Sequence, residues 1–225
     1  SYEMAVIMHR GLVEMFEEQR DVYYYLTMMN ENYAHPAMPE GVEDDIIAGM
    51  YQFSQSGADK DLQVNLLGSG TILHEVIAAA DMLENEFDVG TTVWSAPSFT
   101  QLKRDGASVE RWNMLHPEEE PKQSFVAKKF ADAKGPAIAA TDYVRGLPEM
   151  IRPYIPVAFH TLGTDGYGRS DTREALREFF EVDRRWITVC ALKALADEDK
   201  IERKVVGEAI RKYGIDPDKP EPITH

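Results

Sequence analysis

The stretch LQVNLLGSGTILHEVIAAADMLENEF, with TTVWSAPSF shortly after it, constrains this chain more than any other. Leu62 to Leu67 is a strand-length apolar run, and Gly68-Ser69-Gly70 is a tight turn. From Thr71 a helix follows, with Ile72, Val76, Ala79, Ala80 and Leu83 on one face, and a second strand opens at Thr91. Strand, glycine turn, helix, strand is a βαβ unit, and its crossover helix requires parallel strands.

The alternation continues downstream. TQLKRDGASVERWNML and QSFVAKKFADA read as helices, PAIAATD as a strand, YVRGLPEMIRPY as a proline-broken helix and VAFHTLG as a strand. TREALREFFEV, RRWITVCALKALADE and KVVGEAIRKYG are further helices, the last capped by Gly214. Strands alternating with helices predict an α/β layered fold. Upstream, Met4, Met8, Leu12, Met15 and Phe16 place an amphipathic helix over Tyr2 to Gln19, and DVYYYLTMM reads as a buried strand. NENYAHPAMPEG is a linker, with a boundary near Pro36 to Gly41, and Glu43, Asp44 and Asp45 open a short helix. DPDKPEPITH is a tail without core residues.

Composition excludes several classes of partner. The net charge of −15 repels nucleic acid and acidic membrane surfaces, and no run reaches the roughly 18 apolar residues of a span. A cytoplasmic protein is the expectation. The start carries acids throughout and is not a signal peptide; it opens mid-pattern without an initiator Met, as a fragment or processed chain would. Cys190, the single cysteine, sits among apolar neighbours and reads as a buried, inert thiol.

TLGTDGYGRSDTREAL is the strongest candidate for chemistry. Gly163, Gly166 and Gly168 lie between a strand and a helix, where open α/β sheets bind ligands, and Arg169 tilts the segment toward an anion. The spacing G-x-x-G-x-G is neither a P-loop nor a dinucleotide fingerprint, and Asp165 sits among the glycines. A structural turn is the competing account: positive-φ glycines, Asp165 and Arg169 exposed at the sheet edge, and Ser170 or Asp171 capping the next helix. Of His9, His35, His74, His116, His160 and His225, no pair has zinc-site spacing. His35 stands out in its polar linker beside Tyr33. Trp112, Asn113 and His116 cluster in ERWNMLHP, a composition suited to an interface or a polar packing network.

YEMAVIMHRGLVEMF, VYYYLTMMNENYAHPAMPEG, LLGSGTIL, SFTQLKRDGASVERWNMLHP, ATDYVRGLPEMIRPYIP and LGTDGYGRSDTREALREFFEVD together resemble the C-terminal portion of the homodimeric bacterial pyruvate dehydrogenase (acetyl-transferring) component. The resemblance runs over essentially the whole chain. It implies a three-layer, mostly parallel transketolase-like C-terminal domain over residues 38–225. Residues 1–37 would be a helix-strand remnant of the middle, pyrimidine-binding domain plus linker. It further implies an enzyme that decarboxylates pyruvate with thiamine diphosphate and Mg2+. That enzyme passes the acetyl unit to the lipoyl group of a dihydrolipoyl acetyltransferase partner and works as a homodimer. The family's Gly-Asp-Gly metal segment does not occur here. No catalytic, cofactor-binding or metal residue is therefore assigned to this chain, and the cofactor is expected to bind outside it. Two alternatives stay open: a stand-alone anion- or nucleotide-binding module, and part of another 2-oxo acid dehydrogenase or a transketolase.

Overall fold

The structure, a computed structural model, describes residues 2–29 and 32–224. Asn30 and Glu31 of the linker, and His225, lie outside the described residues. The elements run α1 (Tyr2–Leu12), continued by a π-turn (Val13–Glu17), α2 (Glu43–Ala48), β1 (Tyr51–Ser56) and β2 (Leu62–Gly68). Then follow a 3-10 turn (Gly70–Ile72), α3 (Leu73–Phe87), β3 (Val89–Ser95), α4 (Phe99–Leu115), α5 (Phe125–Lys129) and β4 (Ala137–Ala140). The chain ends with α6 (Gly146–Glu149), β5 (Phe159–Leu162), α7 (Arg173–Phe179), α8 (Arg184–Asp197) and α9 (Arg203–Lys212).

The five strands form one sheet in the order β1-β3-β2-β4-β5. β2, β3, β4 and β5 are parallel, and β1 is antiparallel to β3 with a bulge between Gln52 and Ser54. Parallel strands covered on both faces lose water from both, so their residues are uniformly buried. Ala137 to Ala140 show this, each 0% exposed. On one face α3, α8 and α9 bury Val64, Leu66, Leu83, Ile138, Ile187 and Leu195. On the other, α4 and α5 bury Leu67, Trp94, Phe99, Leu102 and Phe130. Each such side chain contributes about 1.5–3 kcal/mol of transfer free energy. The three-layer α/β expectation holds.

Two polar residues inside β2 show how the sheet accepts them. Gln63 donates to the carbonyls of Gly57 and Lys60, and Asn65 donates to the Lys134 carbonyl while accepting from the Trp94 indole N–H at 3.3 Å. Buried amides persist when their groups are paired.

Three expectations are corrected. Asp21 to Met29 forms no strand: the segment has no regular secondary structure, with Tyr23 89% and Tyr25 84% exposed. A strand requires a neighbour to take its N–H and C=O groups, and no strand of this sheet lies beside it. Conversely, SQSGADKD reads as a turn from its sequence, yet Ser54 to Ser56 belong to the strand YQFSQS, whose polarity hides it because an edge strand buries only part of its surface. Helix α5 is shorter than its apolar pattern suggests, giving way to a turn after Phe130.

Candidate functional site

The carboxyl edge of the parallel strands carries a group of interacting polar side chains. From β2 the chain passes through α3 to β3 on one side, then crosses to β4 on the other, so a topological switch point lies between β2 and β4. Ser69 and Thr141 close it, their hydroxyls hydrogen-bonded at 2.7 Å. Gly70 turns the chain into α3 at φ +55°. The next residue after Thr141, Asp142, places Oδ1 in the interior with no hydrogen-bond partner. Burial pushes this carboxyl above the usual carboxylate range, and the nearby Arg177 only partly opposes that.

A raised folded-state pKa means that the folded protein holds a proton the unfolded chain would release. Asp142 therefore costs nothing in acid and becomes destabilising as pH rises through its folded pKa. Asp142→Asn is expected to stabilise the chain by about 1 kcal/mol at neutral pH, the low end for a desolvated polar group. The gain should vanish below the unfolded carboxylate range. Denaturation midpoints of both proteins across pH check this.

The glycine segment after β5 is laced to the same edge. Thr164 N–H donates to the Tyr143 carbonyl, the Thr164 hydroxyl to the Asp142 carbonyl, and Arg145 N–H to Asp165 Oδ1 at 2.9 Å. Asp165 is thereby half-buried rather than exposed. The three glycines differ in kind. Gly163 has ordinary φ, but a Cβ there would lie 2.6 Å from the Tyr143 carbonyl; Gly166 has φ +104°; Gly168 has neither constraint. The cap of α7 is Thr172, whose hydroxyl accepts from Ala175 N–H, and Asp171 accepts from Thr172 N–H, so neither Ser170 nor Asp171 fills that role. Arg169 lies 4.2 Å over the Phe179 ring. The adjoining cavity of about 270 Å3 is lined by Asp165, Glu181 and Glu221 against Arg145. Such a lining disfavours phosphate.

His35 is exposed, within electrostatic reach of His74. Its neighbour Tyr33 is the anchor of the linker. The Tyr33 ring stacks on His74 at 5.3 Å, and its hydroxyl accepts from Arg177 at 3.0 Å. Burial, with the charges of His35 and Arg177, lowers the His74 pKa, so the ring stays neutral in the stack. Arg177 also donates to Glu75 at 3.2 Å, and Glu75 takes the Arg184 backbone N–H, Nε and Nη2 at 3.1, 2.9 and 3.2 Å. A second anchor joins Thr27 to the Tyr143 hydroxyl. Sequence reasoning missed this network, although a signal existed: Glu75 is one helical turn after Ile72 and one before Ala79, on the apolar stripe.

Trp112, Asn113 and His116 do come together, but on one another. The Trp112 and His116 rings stack at 4.4 Å, and Lys122 lies 3.7 Å over Trp112. Asn113 exchanges two hydrogen bonds with the Lys122 backbone. They close the turn after α4. At Cys190 burial pushes the thiol up to about 12, away from the reactive thiolate form.

Residues 49–183 match the model of the transketolase-like TK C-terminal domain, and residues 1–36 that of the pyruvate dehydrogenase E1 component middle domain. Over 224 residues, 99% of this chain, it is 59% identical to the pyruvate dehydrogenase E1 component of Cupriavidus necator. Over the same span it is 54% identical to that of Pseudomonas aeruginosa and 50% to that of Escherichia coli. Each match covers 25% of the relative, so the chain spans about a quarter of the length of the curated relatives it matches.

Proposed function

The chain belongs to the transketolase-like C-terminal domain family, and on that premise we propose that it is the C-terminal part of a pyruvate dehydrogenase E1 component, serving domain packing, dimerisation and framing of the active-site entrance. The observation that carries this reading is the use made of the carboxyl edge. Where an open α/β domain would hold a ligand, Tyr33 of the linker and Thr27 just before it are fastened to Arg177, His74 and Tyr143. The glycine turns are spent on backbone approach, and the adjoining cavity is acidic.

In this reading residues 1–37 complete the middle domain. Asp21 to Met29, which forms no strand here, gains its strand partner there, and the exposed Phe16, Tyr23, Tyr25 and Met28 are covered by it. The whole protein decarboxylates pyruvate with thiamine diphosphate and Mg2+ in the cytoplasm. It works as a homodimer and passes the acetyl unit to a dihydrolipoyl acetyltransferase. The residues of this chain do not fit the cofactor: the sequence has no Gly-Asp-Gly, and among the described residues no three His, Cys, Asp or Glu side chains are grouped to hold a metal. No step of the reaction is assigned to them.

Calorimetry of the 225-residue chain with thiamine diphosphate and Mg2+ tests this. No binding heat is expected, whereas cofactor binding or pyruvate decarboxylation by this chain alone would overturn the assignment.

A further inference from the structure

Helix α1 has two unlike faces. Tyr2, Val6 and Ile7 pack against Val42, Ile46 and the fully buried Tyr51. Met8 and Leu12, four residues apart, and Phe16 beyond them point away and are 53%, 52% and 70% exposed. The helix lies in the segment that matches the middle-domain model, while Tyr51 and Ser95 lie in the segment that matches the C-terminal one.

One side chain joins the two segments. Glu3 Oε1 accepts from the Tyr51 hydroxyl at 2.7 Å and from the Ser95 hydroxyl at 2.6 Å. With its own proton committed to Glu3, Tyr51 accepts from the Tyr2 hydroxyl at 2.6 Å. Both donors to Glu3 are rigid: Tyr51 opens β1 and is 0% exposed, and Ser95 ends β3 and is 2% exposed. Two fixed hydroxyls converging on one carboxylate oxygen determine the position of the first turn of α1. Hydrogen bonds to a charged acceptor are also stronger than neutral ones. At the far end, Glu14 takes Arg10, Arg20 and Tyr24, which fixes how the chain leaves the π-turn.

We propose that Glu3 is a positioning residue, holding α1 on the C-terminal sheet so that whatever seats on Met8, Leu12 and Phe16 takes its orientation from Tyr51 and Ser95. The occupant of that exposed stripe is the preceding part of the same protein's middle domain, since this helix is itself matched to that domain and the relatives are about four times longer. The inference rests on the reading of the chain as part of an E1 component. Burial, then the Glu3 charge, raises the Tyr51 pKa, in keeping with a phenol that remains a donor to Glu3 throughout the physiological range.

The test uses the full-length enzyme and follows thiamine diphosphate affinity, kcat/KM for pyruvate and thermal midpoint together. Glu3→Ala is expected to lower cofactor affinity and kcat/KM by about 10- to 100-fold, the scale of a displacement of roughly 1 Å acting from a distance. Glu3→Gln, which keeps an acceptor oxygen, should recover most of both. Ser95→Ala, which removes one of the two donors and leaves the helix core intact, should give a smaller loss in the same direction and serves if Glu3→Ala does not fold. Wild-type affinity and kcat/KM in the alanine variants, whatever their thermal midpoints, would overturn the proposal. A wild-type enzyme that binds no thiamine diphosphate would instead overturn the E1 reading.

Discussion

Glu75→Ala is expected to cost the chain about 3 kcal/mol, the lower end for breaking a buried ion pair. Glu75 is 5% exposed and serves two guanidinium groups at once. Its removal strands Arg177, whose side chain is only 17% exposed, whereas Arg184, at 50%, recovers part of its hydration. That difference keeps the loss below the top of the range. The Tyr33 clasp should loosen as well, because Arg177 is oriented by Glu75. Urea denaturation gives the stability, and hydrogen exchange over residues 33–41 reports the linker; unchanged values in both would contradict the role assigned to Glu75.

The pH dependence of this contact has a definite sign. Burial raises the Glu75 pKa, but hydrogen bonds from the Arg184 side chain and backbone, with the Arg177 charge, outweigh it and leave the carboxyl below its usual range. A depressed folded-state pKa gives stability that is complete above the unfolded carboxylate pKa and lost as pH falls through the folded value. The wild type and Glu75→Gln should therefore converge in acid and diverge toward neutrality. The Asp142 pair also converges in acid, but toward neutrality its wild type is the less stable partner, so one pH series on both variants separates a carboxyl held by ion pairs from one dominated by burial.

Gly135→Ala is expected to be more damaging, at about 4 kcal/mol or beyond, the range reserved for severe steric or backbone conflict. Gly135 has φ +72°, and a Cβ would lie 1.8 Å from the Gln63 carbonyl. Relief would move β2 or the loop entering β4, where Asn65 N–H bonds the Pro136 carbonyl at 2.9 Å. Gly168→Ala is the control: nothing lies within 4 Å and φ is ordinary, so its effect should stay within about 0.5 kcal/mol. Thermal unfolding of the two variants beside wild type checks the contrast. A Gly135→Ala protein of wild-type stability would contradict the packing at the start of β4.

Much of the fold was legible because helix and strand periods are local. The apolar stripe of α3 and the short run of β2 were readable within a few turns of chain, and so was the parallel sheet they imply. The errors came where pairing, rather than composition, decides. YQFSQS is a strand because β3 runs beside it, and DVYYYLTMM is not one here because no strand among the described residues does. The site was less legible. Three glycines in six residues looked alike, yet Gly163 answers to a carbonyl just after the preceding strand, Gly166 to its own φ and the Pro222 carbonyl, and Gly168 to neither.

Taken by itself, the sequence determined the alternation of strands and helices from β2 onward, the α/β class with its parallel strands, the acidic character, and the family to which those motifs belong. Each follows from spacing within a window of tens of residues or from long runs of matching text. The tertiary structure alone decided which polar groups are joined. Glu75 meets Arg184 across 109 positions, Glu3 meets Ser95 across 92, and Arg177 meets Tyr33 across 144. No local period relates such residues, since their meeting depends on which strands neighbour each other and where the helices lie across the sheet. The same holds for Asp142, whose Oδ1 is buried without a hydrogen-bond partner.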